Sequence, residues 1–142
     1  MTCKNVITLN DEVVKHIQEI RIGKKTRYTI YGFSEDKTEI IIKKIGASDA
    51  TIEDLIADLP DNDVCYVAYH YGFDVDDGTR RGRTCFITWV PSKVDRAKKF
   101  LAACSKTGLR NQLGGGLVDF LFSTKDEITE EEFYDKCIKT IH

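Results

Sequence analysis

From Arg83 to Phe122 the chain reads as a strand, a long helix, a triglycine stop and a second strand, and this order restricts the fold more than any other feature. The first strand, Arg83 to Val90, has Cys85-Phe86-Ile87-Thr88-Trp89 at its centre, nearly all large or β-branched, as in a strand buried on both faces. Pro91 and Ser92 open a helix over about Val94 to Leu113, ended by Gly114-Gly115-Gly116, and Leu117 to Phe122 forms the short second strand. A strand–helix–strand unit of this kind is a right-handed crossover between parallel strands.

The preceding segments pair differently. Asn10-Asp11 caps a helix whose apolar positions are Val13, Val14, Ile17 and Ile20, and Gly23 ends it. Arg27 to Phe33 and Thr38 to Lys43 form a hairpin about Ser34-Glu35-Asp36-Lys37. A short helix, Ile52 to Leu59, is capped by Asp49 or Thr51 and stopped by Pro60. Val64 to Tyr71 is a further strand, joined to the strand at Arg83 by a charged loop from Asp74 to Gly82. Thr129 and Glu132 form a capping box for the last helix. Short connections make the early strands antiparallel. The expected fold is therefore α/β of the α+β type: a mixed five- to six-stranded sheet with helices on both faces.

At 142 residues, 42% hydrophobic and 31% charged, the chain has the composition of one globular domain, residues 1–142. Its net charge of −2 provides no general attraction to nucleic acid or an anionic membrane, so an anionic partner must meet local clusters of base. Cys3, Cys65, Cys85, Cys104 and Cys137 are odd in number, widely spaced and without CxxC, which predicts reduced thiols in a cytoplasmic protein. The first residues lack a signal-peptide core, and no apolar run is long enough to span a bilayer; an integral membrane protein is not expected.

Nor does the sequence assemble catalytic chemistry. The triglycine follows a helix instead of opening one, so it reads as a C-terminal cap and not a phosphate loop. His16, His70 and His142 lack metal-ligand spacing, and no metal or cofactor is expected. Cys65 or Cys85 with His70 is the one conceivable nucleophilic pair, but both thiols lie mid-strand among apolar neighbours. A binding protein is expected, not an enzyme.

The long helix carries the sharpest binding signal. At about 100° per residue, Val94, Ala97, Leu101, Cys104 and Gly108 fall on one face, expected to pack on the sheet. Arg96, Lys99, Lys106 and Arg110 gather on the opposite side with Ala103 between them, and no acid one turn away relieves their repulsion. Phe100 projects at the edge of this stripe, and an aromatic beside cations suits an interface with an acidic protein groove. A second basic group comes from Arg80, Arg81 and Arg83; Arg81 and Arg83 share a side if the strand already begins there. Lys136 and Lys139, at the end of the last helix, can join it.

Asp58-Leu59-Pro60-Asp61-Asn62-Asp63 before a tyrosine-rich strand, Phe86-Ile87-Thr88-Trp89-Val90-Pro91, and Ala103-Cys104-Ser105-Lys106 before Leu109-Arg110 resemble, in order and spacing, the actin-depolymerising factor (ADF)/cofilin family. Gly23-Lys24-Lys25-Thr26-Arg27-Tyr28 resembles its stretch after the first helix, and the likeness runs from about Thr8 to Lys139. The resemblance implies the ADF-homology fold, a mixed sheet between two pairs of helices. It also implies that the long helix binds actin monomer and filament, through Arg96, Lys98, Lys99, Phe100, Ala103, Lys106 and Arg110. Lys99 matches a basic residue of the family's helix site and Phe100 its apolar contact. A second basic position falls on Ala97, leaving Arg96 or Lys98 to supply the charge.

The same resemblance assigns Arg80, Arg81 and Arg83, with Asp135, Lys136 and Lys139, to a filament-specific site, and Asn5 and Val6 to an N-terminal actin contact. The family's phosphorylated serine aligns with Asn5, and Thr2 is not equivalent, so that switch is lost or altered. What it implies is a monomeric regulator that prefers ADP-actin and promotes severing and depolymerisation, with phosphoinositide headgroups competing for the basic stripe. It further implies a place in the cytoplasm and cytoskeleton, with nuclear entry left open. The alternatives are a glia maturation factor-like regulator of the branched-actin nucleating complex, or a monomer-sequestering relative with weak severing.

Overall fold

In chain order the elements are β1 (Thr8–Leu9), α1 (Asp11–Ile22), β2 (Thr26–Phe33), β3 (Glu39–Ala47), α2 (Ile52–Asp58), β4 (Cys65–Asp74), β5 (Arg80–Trp89), α3 (Arg96–Leu113), β6 (Val118–Phe122) and α4 (Glu130–Ile138). They come from a computed structural model that describes residues 8–22 and 26–140, without the side chains of 18–22. β5 and β6 are parallel neighbours, in register from Cys85 opposite Val118 to Trp89 opposite Phe122, as the crossover requires. The β2–β3, β2–β4 and β4–β5 pairs are antiparallel. β1 adds two residues parallel to β3, too short for a sequence pattern to reveal, and completes a six-stranded mixed sheet in the order β1-β3-β2-β4-β5-β6.

Strand alternation divides the core between the two faces. On one side, Tyr66, Ala68 and Phe86 pack with Val13 and Ile17 of α1 and with Ala102, Leu109 and Leu113 of α3. On the other, Val67, Tyr69, Cys85, Ile87 and Trp89 pack with Leu55 of α2 and Phe133 and Cys137 of α4. The sheet thus sits between two pairs of helices.

Several boundaries differ from expectation for a common reason. The β4–β5 hairpin runs on to Asp74 and Arg80: Phe73 still packs in the core, but Arg80, Arg81 and Gly82 on the partner strand are exposed, so that strand end shows no apolar pattern and reads as loop. What remains is a turn closed by Val75 N–H to the Thr79 carbonyl (3.0 Å), with Gly78 at φ 85° and the Asp77 carboxylate accepting from Thr79 N–H and Oγ1–H. β3 likewise continues past Lys43 to Ala47.

Within α1, Val14 is 47% exposed although its spacing grouped it with Val13 and Ile17; the Ile20 side chain and Gly23 lie outside the described residues. Thr51 caps α2, bonded reciprocally with Asp54. Thr129 Oγ1 accepts from Glu132 N–H at the start of α4. Cys65, Cys85 and Cys137 are free and buried, but Cys104 is disulfide-bonded, which corrects the expectation of reduced thiols throughout. Distance along the chain does not report distance in the fold.

Candidate functional site

α3 begins later than its sequence suggests. Pro91 starts a turn, with Val94 N–H donating to its carbonyl at 3.1 Å, and Asp95 caps the helix by accepting from Lys98 N–H at 2.9 Å. Gly114, at φ 91°, ends it in a backbone region that a side chain disfavours. The triglycine is a helix stop, as its position predicts.

The anchored face consists of Ala102, Ser105, Leu109 and Leu113, and the Tyr66 hydroxyl donates to the Ala102 carbonyl from the sheet below. This corrects the expected packing face. Ala97 and Gly108 are exposed, Leu101 and Cys104 half-buried, and Val94, though buried, precedes the helix. The true face is rotated by about a quarter-turn, or roughly one residue's step, from the expected one. Ala, Gly and Cys fit either environment, so they could not fix the rotation. Leu109 and Leu113, one turn apart, carried the signal that could have done so.

The cations therefore occupy a flank beside β6, not the pole opposite the core. Arg96 and Lys99 are exposed, and Lys106 and Arg110 are half-buried. Arg110 makes a bidentate pair with Asp119, Nε to Oδ1 at 2.8 Å and Nη2 to Oδ2 at 2.7 Å. The hydrogen bonds from Arg110 hold the Asp119 carboxyl below the usual carboxylate range against the opposing effect of burial, with Lys106 and Lys136 adding to them. The acid missing from the helix is supplied by the neighbouring strand. Lys98 turns away from the stripe, donating from Nζ to the Asn62 carbonyl at 2.9 Å, so it does not replace a cation at Ala97. Phe100 is half-buried and Ala103 exposed, as expected of the outer surface.

Leu121 escaped the sequence reading. Phe120 and Phe122 belong to the core on the α4 side, so alternation places Asp119 and Leu121 on the α3 side. There Leu121 is 66% exposed, at the sheet edge beside the Arg110–Asp119 pair. The alternation alone could have identified it.

The second basic group is only partly assembled. β5 does begin early enough for Arg81 and Arg83 to share the side of Cys85, which faces α4. Arg83 reaches across to the end of α4, donating from Nε to Thr140 Oγ1 at 2.8 Å. Arg80 bonds the Asp74 carboxylate at 3.3 Å, and Asp135 and Lys139 are exposed. Lys136 does not join Arg83: its ammonium donates to the Asp119 carbonyl and lies 4.8 Å from the Phe120 ring centroid. Asn5 and Val6 fall outside the described residues. Burial pushes the Cys65 thiol up, the opposite of nucleophile activation, and Cys85 faces Cys137.

A mixed six-stranded sheet between two helix pairs, with a capped helix presenting one basic flank, is the arrangement that the sequence resemblance implied. The profile of the Cofilin/tropomyosin-type actin-binding protein family matches residues 6–138, and the chain belongs to that family. It is 32% identical over 129 residues to cofilin of Cryptococcus neoformans var. neoformans serotype D, covering 90% of this chain and 93% of the relative. Actophorin of Acanthamoeba castellanii is 27% identical over 135 residues, covering 95% and 97%. The crystal structure of Streptomyces griseoflavus cofilin superposes with a TM-score of 0.82 at 27% identity, covering 92% of this chain and 96% of that one.

Proposed function

We propose that this chain is a non-enzymatic, single-domain actin regulator that binds monomers and filaments, prefers ADP-actin and promotes severing and depolymerisation. The observation that carries the reading is the outer surface of α3, where Lys99, Phe100 and Ala103 stand clear of the core on a rigid, capped helix. Such a helix can enter a cleft between actin subdomains with Phe100 as apolar anchor and Arg96, Lys99 and Lys106 meeting acidic rims. Arg110 serves mainly to brace the helix through Asp119. Asn5 and Val6 extend the same contact.

Arg80, Arg81 and Arg83, with Asp135, Lys136 and Lys139, contact a second subunit in the filament. A protein that touches two subunits favours one filament geometry, and mass action shifts the filament towards it. Phosphoinositide headgroups compete for the exposed cations, and a monomeric protein of the cytoplasm and cytoskeleton fits this role. The test is sedimentation of filaments with the purified protein. Co-pelleting together with a rise in soluble actin is expected; neither change would end the reading.

A further inference from the structure

Two cysteines unused by either surface meet inside the protein. Cys85 Sγ on β5 lies 3.7 Å from Cys137 Sγ on α4, and both residues are fully buried. They are 52 positions apart, so the fold alone brings them together. Among the described residues no group of three His, Cys, Asp or Glu is placed to hold a metal ion, which leaves the pair without a third ligand. A disulfide needs sulfurs about 2.05 Å apart, so the pair is roughly 1.7 Å from bonding distance.

The two sides of the pair differ in freedom. Cys85 is fixed in a central strand hydrogen-bonded to β4 and β6. Cys137 lies in the last turn of a nine-residue helix, next to the Thr140 hydroxyl that bonds both its carbonyl and Arg83. The last turn of a helix frays at low cost, and that fraying both admits a small oxidant and supplies the missing displacement. The hydrogen bond with Cys85 lowers Cys137 first, with Arg83 and Lys136 assisting, whereas the same contact and burial raise Cys85. Because Cys137 lies in the last turn of α4 while Cys85 is held between two strands, Cys137 is the sulfur set to react first.

We infer that Cys85 and Cys137 form an oxidisable dithiol that a peroxide closes to a disulfide, pinning α4 to β5. The Cys137 thiolate attacks one peroxide oxygen and breaks the O–O bond; a sulfenic acid forms, and the departing hydroxide takes up a proton as water. Cys85, losing its proton, then attacks the sulfenic sulfur and expels a second water. Two thiols and one hydrogen peroxide thus give one disulfide and two waters. Its effect on function rests on the proposed filament role of β5 and α4, because the bridge moves the end of α4 beside Arg83 and Lys139.

The full chain, with Cys85 and Cys137 as free thiols and the Cys104 disulfide left intact, is treated with hydrogen peroxide and mapped by peptide mass spectrometry. A Cys85–Cys137 cross-linked peptide two hydrogens lighter than its parts is expected, with the melting midpoint raised by about 10 °C. Cys137→Ser and, separately, Cys85→Ser abolish both; the wild-type cross-link map decides the matter even if a variant folds poorly. Cys137 accumulating as sulfinic or sulfonic acid without the cross-link, or both thiols persisting at an excess of peroxide that oxidises Met1, would overturn the inference. Oxidised protein is expected to bind filaments several-fold more weakly than reduced protein with unchanged monomer affinity. Equal filament binding overturns the coupling to that surface. Reduced protein that fails to pellet with filaments counts against the proposed function alone, leaving the cross-link result standing.

Discussion

The two basic surfaces stand on unlike supports. The α3 surface rests on an 18-residue helix that buries Ala102, Ser105, Leu109 and Leu113, is bonded to the sheet through Tyr66, and is braced along its flank by Arg110 and Asp119. The β5/α4 surface combines the exposed strand end at Arg80 and Arg81 with a nine-residue helix held chiefly by Phe133 and Cys137. A pre-ordered surface loses little entropy on binding, whereas an adaptable one must be ordered by its partner. The first suits a partner met as a free monomer. The second suits a contact completed only when neighbouring subunits already fix its geometry.

Replacing Lys99 and Phe100 together by Ala gives the largest expected effect. Monomer affinity should fall by about 2–4 kcal/mol, the range for an anchor pair, measured by titration of fluorescent actin. The melting midpoint should stay within about 2 °C, because neither side chain belongs to the anchored face. A large loss of stability would mean that the outer surface of α3 is structural after all, and the comparison would lose one of its terms.

Arg81→Ala with Arg83→Ala should act on the other term. Filament affinity is expected to drop by about 2 kcal/mol while monomer affinity changes less than about twofold, by co-sedimentation and monomer titration in parallel. Equal losses for both forms would show that the two surfaces act as one.

How far the sequence could foretell this contrast depended on which signals were redundant. The parallel β5–β6 pair followed from a strand, a helix and a strand in series, because chirality and connection length leave few options. The rotation of α3 did not, because its neighbours in sequence include Ala97, Ala102, Ala103, Cys104 and Gly108, which are indifferent to burial. A quarter-turn error then changed which cations were free. Lys98 and Arg110 read as open charges along the helix, but their partners, Asn62 and Asp119, come from a loop and a strand that periodicity cannot see. The hairpin end was obscured for a different reason: Phe73 reaches the core there, but Arg80 and Arg81 on the partner strand are exposed, so no apolar alternation marks the start of β5.

Tyr66→Phe probes the support of α3 directly. Removing the hydroxyl leaves the buried Ala102 carbonyl without that donor, and stability should fall by about 1–1.5 kcal/mol, or about 4 °C in the melting midpoint. Monomer affinity should fall less than in the Lys99/Phe100 double variant. A loss of affinity with no loss of stability would place Tyr66 in the binding surface and contradict its position beneath the helix.

The smallest effect belongs to the Arg110–Asp119 brace. Side-chain exposures of 35% and 42% leave the pair largely open to solvent screening, so Arg110→Ala should cost only about 0.5 kcal/mol, less in high salt. Its pH signature has a definite sign. The Asp119 carboxyl lies lower in the folded protein than in the unfolded chain. Its contribution is therefore fully present above the unfolded value near about 4 and is lost as pH falls through the folded value. Asp119→Asn should flatten the acid limb of the stability curve below that point and leave the curve near neutral pH almost parallel to wild type. If Arg110→Ala instead weakens monomer binding as much as the Lys99 and Phe100 replacement, without any change in acid stability, Arg110 faces the partner and not Asp119. The flank of α3 would then be a binding stripe along its whole length, with no bracing end.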